Sequence, residues 1–136
     1  MLVRLFIISI AILFLVAGCS NDDSSRQEIL KTLATRSNAL NTKDSNLYFS
    51  TVSLRYSDKG KNFAQLKESV EKNFREFEQI SYKCGAPSIT VYGSEADSAC
   101  DYRMKMRVRG KEFELKGLEH LKLKNETDGW KIVSGI

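Results

Sequence analysis

The spacing of hydrophobic positions changes twice along the chain, and each spacing predicts a different kind of segment. The first 18 residues are apolar apart from Arg4 and Ser9. From about residue 25 to residue 80, apolar residues recur every three or four positions, which is typical of amphipathic helices. After Ser81 they alternate with polar residues, as in strands that bury one face. The pattern predicts an apolar leader, a helical half and a sheet half.

Two or three helical segments are predicted in the first half. Ser25 and Glu28 have the spacing of a capping box and begin a helix that runs to about Thr42. A shorter aromatic segment follows Lys43-Asp44, and Asn62 is placed to cap another helix. The apolar stripe of that last helix consists of Phe63, Leu66, Val70, Phe74, Phe77 and Ile80.

Four strands are predicted in the second half, at 82–92, 97–109, 111–124 and 129–134. A two-residue turn at 110–111 would place Val108 opposite Phe113 and Met106 opposite Leu115 on the inner face. Outside, it would place Arg109 opposite Glu112 and Arg107 opposite Glu114, which are pairs of opposite charge. The pattern predicts an α+β fold with N-terminal helices packed on one face of a four-stranded antiparallel sheet.

Composition supports a single folded domain. The chain has 136 residues and a net charge of +4, and 118 residues remain after the apolar leader. That length can bury a self-sufficient core. Seven Phe, five Tyr and one Trp exclude a disordered chain, and one Pro with eight Gly excludes a collagen-like one.

The leader is typical of a secretory signal, with basic Arg4 followed by an apolar run over 5–16. Its end, Leu15-Val16-Ala17-Gly18-Cys19, resembles the lipobox of bacterial lipoproteins. The resemblance implies cleavage after Gly18, a diacylglyceryl group on the Cys19 sulfur and a further acyl chain, such as palmitate, on its amino group. An uncleaved membrane anchor is the alternative, but the apolar run is shorter than the roughly 20 residues that a bilayer requires.

The resemblance also implies an address and a domain plan. Ser20, rather than an aspartate, follows the lipidated cysteine, which favours the periplasmic side of the outer membrane over the inner membrane. We expect a signal peptide over 1–18, the lipidated Cys19 with a polar tether over 19–25, and one α+β domain over 26–136. The lipid on Cys19 would attach this domain to the membrane.

The two remaining cysteines form an even pair in an oxidising compartment, which predicts a disulfide between Cys84 and Cys100. Two buried free thiols are the alternative, because Cys84 does not fall directly opposite Cys100 in the predicted sheet. Cysteine and histidine spacings typical of zinc sites do not occur, and His120 is the one histidine. We expect neither a metal nor a cofactor.

The order of elements is similar to that of the nuclear transport factor 2-like superfamily, in which a cystatin-like curved sheet and helices form a cone. The resemblance covers about 26–136 and includes Lys43-Asp44 before an aromatic segment, Ile89-Thr90-Val91-Tyr92-Gly93, and the closing Gly129-Trp130-Lys131-Ile132-Val133. It implies an apolar pocket. SnoaL-like cyclases and ketosteroid isomerases share this fold with non-enzymatic binding and assembly domains, so the fold alone assigns no function.

Glu119 is the candidate catalytic residue, because alternation points it towards the pocket and a buried carboxylate can act as a base. Two alternatives remain for Glu119. It could lie at the mouth of the pocket, or a bulge at Gly117 could reverse the alternation and turn its side chain to solvent. His120 falls on the opposite face. The candidate ligand-pocket residues, which could equally be ordinary core, are Tyr82, Tyr102, Met104, Met106 and Trp130.

A basic run follows the second strand into the turn after it, at Arg103, Lys105, Arg107, Arg109 and Lys111. It could contact anionic lipid headgroups, lipopolysaccharide phosphates or an acidic partner. The favoured alternative is that acidic residues across the strands neutralise it. Nucleic acid is not an expected partner of a membrane-tethered secreted domain.

Three functions remain open at this point. The favoured one is a non-catalytic envelope lipoprotein that binds an apolar small molecule or an envelope protein, because no convincing catalytic set is present. The second is an isomerase or cyclase that uses Glu119. The third is an oligomeric component of an envelope or secretion assembly, and the sequence does not specify the oligomeric state.

Overall fold

The computed structural model describes residues 20–136, so the predicted signal peptide and Cys19 lie outside the described residues. Among residues 20–136, no helix has the length and apolar character needed to cross a membrane. The elements are α1 (Ser20–Thr42), α2 (Ser45–Phe49), β1 (Ser57–Asp58), β2 (Lys61–Asn62), α3 (Phe63–Glu76), β3 (Gln79–Cys84), β4 (Ser88–Tyr92), β5 (Glu95–Val108), β6 (Lys111–Glu126) and β7 (Gly129–Ser134).

The main sheet is antiparallel, in the order β3-β5-β6-β7. Strand β3 pairs with residues 102–107 of β5, and β4 pairs with residues 95–99 at the start of β5. The predicted strand over 82–92 is therefore two strands, β3 and β4, and the sheet has five strands rather than four. The chain leaves the sheet over residues 85–87, where Pro87 has no backbone N–H to donate to a ladder. N-terminal helices packed on an antiparallel sheet confirm the α+β prediction.

The β5–β6 turn lies one residue earlier than predicted. Arg109 and Gly110 form it, with φ of 50° and 75°, and a two-residue hairpin turn with both residues at positive φ favours glycine in its second position. Val108 therefore pairs with Lys111 and Met106 with Phe113, so the predicted register is wrong by two residues. Because the shift is even, every side chain keeps its predicted face.

Two helix boundaries also differ from the prediction. Helix α1 includes Ser20, the first described residue, so the expected tether is helical over 20–25 and Ser25 lies inside the helix. Helix α3 ends at Glu76, and Ile80 belongs to β3 instead, where it pairs with Met106. The Asn62 cap is confirmed, and Gln65 completes a capping box.

Helix α1 lies across the inner face of the sheet and is bound to three strands by polar contacts. The Arg26 guanidinium donates to the Ile89 carbonyl in β4 at 2.9 Å, and the Thr32 hydroxyl donates to the Trp130 carbonyl in β7 at 3.0 Å. Near its C-terminus, Asn41 bonds both backbone groups of Tyr82 in β3. The largest fully buried apolar side chains, on the helices, the sheet and the segment between α2 and β1, are Tyr48, Tyr56, Ile29, Leu123 and Ile132.

The cysteine pair connects β3 to β5. Cys84 pairs with Tyr102 in the ladder, so Cys100 lies two residues further along the neighbouring strand. The two Cα atoms are 5.9 Å apart, a distance that a disulfide spans. The bond closes the loop that contains β4.

Candidate functional site

A cavity with a volume of about 920 Å³ opens among the helices and the sheet. Its inner part lies between α1, α3 and the concave face of the sheet, where Leu40, Tyr48, Phe74, Tyr82, Met104 and Glu119 line it. Residues that the register places on the outer face, among them Thr90, Asp97 and Lys122, line the rest. The inner chamber is therefore only part of that volume.

Glu119 points into the inner chamber, as the alternation along β6 predicts. Gly117 pairs directly with Tyr102, and the irregularity in β6 lies further on, between Lys122 and Leu123. No bulge therefore intervenes between the β5–β6 turn and Glu119. The Glu119 side chain is 14% exposed.

A buried arginine on α1 binds this carboxylate. The two terminal nitrogens of Arg36 lie 3.0 Å from the two oxygens of Glu119, one to each, which is a bidentate ion pair. The Arg36 side chain is only 6% exposed, and its guanidinium carbon lies 5.7 Å from the ring centre of Tyr48 and 5.5 Å from that of Tyr82. Two aromatic rings and a carboxylate therefore compensate a buried cation.

Arg36 is the residue that sequence reasoning missed. It follows Ile29 by seven residues and precedes Leu40 by four, so it lies on the apolar stripe of α1. A charged residue on a buried helical face requires a partner of opposite charge. That signal was present in the sequence and would have indicated an acidic partner on the sheet.

Tyr82 completes the cluster. Its hydroxyl donates to Glu119 Oε1 at 2.7 Å, and Arg36 Nη1 approaches the hydroxyl oxygen at 3.4 Å. Asn41 fixes the Tyr82 backbone, with its side-chain amide accepting from the Tyr82 N–H at 2.6 Å and donating to the Tyr82 carbonyl at 3.1 Å. The phenol is thereby held over the carboxylate by contacts on both its backbone and its hydroxyl.

Burial and charge set the protonation of the cluster. Burial raises the pKa of Tyr82 to about 12, because its anion would be poorly solvated, and the neighbouring Glu119 carboxylate adds to the rise. Burial acts to lower the pKa of Arg36, but attraction to Tyr48 and Glu119 outweighs it, so that pKa lies above its ordinary value. Near neutral pH, Tyr82 is a neutral donor and Arg36 a cation.

These contacts limit what the cluster can do chemically. Both Glu119 oxygens accept hydrogen bonds from Arg36, and one accepts a second from Tyr82, so proton abstraction would require the carboxylate to leave these partners. One donor is still unused: Arg36 Nε is buried and has no hydrogen-bond partner among the described residues. The cluster is internally neutral and offers one N–H to an acceptor.

A smaller chamber of about 220 Å³ lies on the other side of the ion pair, beneath α1. The residues that line both chambers are Arg36, Tyr82, Ser98, Glu119 and Leu121. The rest of the smaller chamber is mostly apolar and includes Leu30, Leu33, Ala34, Pro87 and the cysteine pair. The ion pair thus forms a polar partition between two cavities.

The other residues predicted for the pocket are divided between cavity and core. Tyr102 and Met104 line the larger cavity with Tyr82, and the Tyr82 and Tyr102 rings are stacked with centres 6.3 Å apart. Met106 and Trp130 are buried outside the lining of both chambers. His120 is exposed.

One constellation has atoms close enough for metal binding. The sulfurs of Cys84 and Cys100 and a carboxylate oxygen of Glu119 lie within 4.8 Å of one another. Because the sulfurs are bonded to each other and Arg36 holds the carboxylate, these groups do not form a set of free ligands. The Arg36 cation beside them would also repel a metal ion.

Acidic residues on β6 pair with part of the basic run. Arg107 contacts Glu112 at 2.9 Å, and Arg103 contacts Glu114 at 3.1 Å. The predicted pairs, Arg109 with Glu112 and Arg107 with Glu114, are wrong because of the two-residue register shift. All these pairs are solvent-exposed, so they contribute little to stability.

Comparison with solved structures shows which fold this is. A nuclear transport factor 2-like protein from Salmonella enterica serovar Typhimurium superposes with a TM-score of 0.76 at 21% identity, over 83% of this chain and 89% of that one. A protein from Kribbella flavida gives 0.77 at 12% identity, over 85% and 90%. A putative scytalone dehydratase from Novosphingobium aromaticivorans gives 0.75 at 13%, over 83% and 82%.

The likeness to these structures shows the fold alone. No protein-family model and no curated protein matches the sequence. The described domain has the nuclear transport factor 2-like cone fold, as the order of its elements predicts.

Proposed function

We propose that this chain is a cell-envelope lipoprotein whose domain binds a small, neutral, largely apolar molecule without converting it. The observation that carries the proposal is the closed cluster of Arg36, Glu119 and Tyr82. In this cluster, Arg36 and Tyr82 bind the inward-facing Glu119 carboxylate, and the charges of Arg36 and Glu119 cancel. The buried Arg36 Nε–H remains without a hydrogen-bond partner among the described residues.

The chemistry of the chamber indicates the class of ligand. Leu40, Phe74 and Met104 supply apolar contact area, which favours a hydrophobic body. An ionic ligand would gain little, because Arg36 and Glu119 already neutralise each other. A carbonyl or ether oxygen would satisfy the free Arg36 Nε, and filling that donor recovers a desolvation cost of about 1–3 kcal/mol.

An isomerase or dehydratase reaction at Glu119 has weaker support. A base must accept a proton from its substrate, whereas the Glu119 oxygens already accept three hydrogen bonds within 3.0 Å. The likeness to a putative scytalone dehydratase is one of fold, at 13% identity. Binding without conversion requires no rearrangement of the cluster.

The envelope part of the proposal rests on the lipobox. Lipid on Cys19 would attach the domain to a membrane, and Ser20 after it favours the outer membrane. Intact mass measurement of the mature chain should show three acyl chains and an N-terminus at Cys19. A Cys19→Ser variant that remains membrane-bound and normally processed would contradict the anchor.

Extraction of the native chain tests the binding function. We expect mass spectrometry to find a neutral small molecule that copurifies with the wild type and is lost from Met104→Trp, whose indole would fill the chamber. Leu54→Trp is the matched control, since Leu54 is 80% exposed outside the cavity. No bound molecule in the wild type, or equal amounts in Met104→Trp, would contradict the proposal.

Glu119→Gln distinguishes binding from catalysis. With the recovered molecule in hand, a pure binder leaves it chemically unchanged whether residue 119 is Glu or Gln. Conversion by the wild type that is lost in a Glu119→Gln variant with native Trp130 fluorescence, and therefore a folded core, would instead assign Glu119 as a base.

A further inference from the structure

Part of β6 forms an open edge of the sheet. The strand pairs with β5 along its whole length, but β7 pairs with it only from Lys122 to Glu126. Within residues 20–136, no strand pairs with the other side of β6 over residues 111–121. Gly135 packs against the backbone of His120 and Leu121, so the outward N–H and C=O groups that are available to another strand are those before residue 120.

Apolar side chains accompany this open edge. Phe113 is 52% exposed and Leu115 is 49% exposed, although both lie on the inner face that is buried further along β6. Proteins usually protect an open edge with charges or short strands, and exposed apolar residues on such an edge indicate a partner.

The order of residues along the edge is self-complementary. In an antiparallel pair of two β6 strands related by a two-fold axis at Leu115, each Glu114 lies opposite Lys116 of the other copy. The two Leu115 side chains meet at the axis, and Phe113 lies opposite Gly117 of the other copy. Opposite charges and an aromatic beside glycine are both favourable cross-strand pairs.

Neighbouring registers lack this match. An axis at Glu114 or at Lys116 would bring the two copies of that residue opposite one another, which is repulsive because their charges are alike. An axis at Phe113 would place Glu112 opposite Glu114, which is repulsive. An axis at Gly117 would place Leu115 opposite Glu119, whose carboxylate is already bound to Arg36. Leu115 is the centre that the charges select.

The space beside Gly117 also suits this register. The Tyr102 ring covers Gly117, since a Cβ added there would lie 3.6 Å from it. Phe113 of a second copy would reach the same position from the open side and contact that ring. The Glu114 carboxylate already contacts Arg103 at 3.1 Å, so it would lie between two cations on pairing.

We propose that a second copy of this chain pairs with the open edge of β6, antiparallel and centred on Leu115, so that the two sheets become continuous. This pairing is independent of the proposed ligand, because the residues that carry it, 113–117, do not line the inner chamber. Because the two copies meet edge to edge, neither copy packs on a face of the other's sheet, and the charged outer face stays in solvent.

Cysteine crosslinking of the full chain tests the geometry. Opposed residues in antiparallel strands have Cα atoms about 4.5–5.5 Å apart, which a disulfide spans. Leu115→Cys should therefore give a covalent dimer on mild oxidation, well above the wild-type background. Leu118→Cys is the control, since it is 57% exposed but would lie about 20 Å from its counterpart. Equal crosslinking of the two variants, or none from Leu115→Cys, would overturn the proposal.

Charge reversal tests the register separately by sedimentation. Glu114→Lys and Lys116→Glu each place like charges opposite one another twice per dimer, so each should weaken self-association about tenfold. An equimolar mixture of the two variants restores both opposite-charge pairs and should associate about as tightly as the wild type. A mixture no tighter than the separate variants, or a wild type that is monomeric throughout, would overturn the proposal.

Discussion

The Arg36–Glu119 pair provides the sharpest test of how this fold is stabilised. Replacing Glu119 with Gln keeps the shape of the side chain but leaves the Arg36 cation in a site where its side chain is 6% exposed. Removing one partner of a buried ion pair typically costs about 3–5 kcal/mol. A domain of this size has roughly 5–15 kcal/mol of stability, so the loss is large.

Removing both charges should have the opposite outcome. An Arg36→Met, Glu119→Leu double variant fills the partition with apolar groups and leaves no buried charge. Such replacements are often neutral or stabilising by about 1–4 kcal/mol. We therefore expect the double variant to unfold at or above the wild-type urea concentration, although each single variant unfolds well below it.

Urea unfolding monitored by fluorescence measures these differences. Trp130 is the one tryptophan of the chain and is 3% exposed, so it reports loss of the core. Arg107→Met is the matched control, because it breaks the exposed pair with Glu112 and should cost less than about 1 kcal/mol. If Glu119→Gln costs no more than this control, the pair is not the buried, coupled unit described above.

Three further predictions concern other parts of the fold. Because folding raises the pKa of Tyr82 from 10.0 to about 12, its contribution to stability is fully present below pH 10 and falls between pH 10 and 12. Tyr82→Phe should therefore flatten that part of a curve of unfolding free energy against alkaline pH, and an unchanged curve would contradict this prediction. Reducing the Cys84–Cys100 bond should lower the free energy of unfolding by roughly 3 kcal/mol. Urea unfolding with and without reductant measures this difference, and the stability of the Cys84→Ala, Cys100→Ala double variant should not depend on reductant. Asn62→Ala should lower it by about 1 kcal/mol through loss of the α3 cap, whereas Gln65→Glu keeps the capping box and should not.

The face of each strand residue could be predicted from sequence, and the register could not. Alternation assigns Glu119 and Met104 to the inner face whatever the pairing, because a shift of two residues leaves faces unchanged. The pairing itself depends on which two residues turn the hairpin. Arg109 adopts positive φ there, and its residue type gives little indication of that conformation.

The cluster required information that lies far apart in the chain. Arg36 and Glu119 are 83 residues apart, and no local pattern links them. The sequence indicates separately that one is a charge on a buried helical face and the other an acid on a buried strand face. Their contact depends on how α1 crosses the sheet, which the contacts of Arg26, Thr32 and Asn41 with three different strands determine.

The helical conformation of residues 20–25 bears on how the domain would stand on a membrane. If Cys19 carries lipid, a helix follows the anchor at once, so the domain cannot tumble about a slack linker. The helix contacts β4 through Arg26 and then β3 through Asn41. Because β4 pairs with the start of β5 and β3 with its later part, α1 runs in the same direction as β5, towards the β5–β6 turn. On such an anchored chain, the acidic residues Asp22 and Asp23 would face the headgroups, and the basic hairpin end would point away from the bilayer.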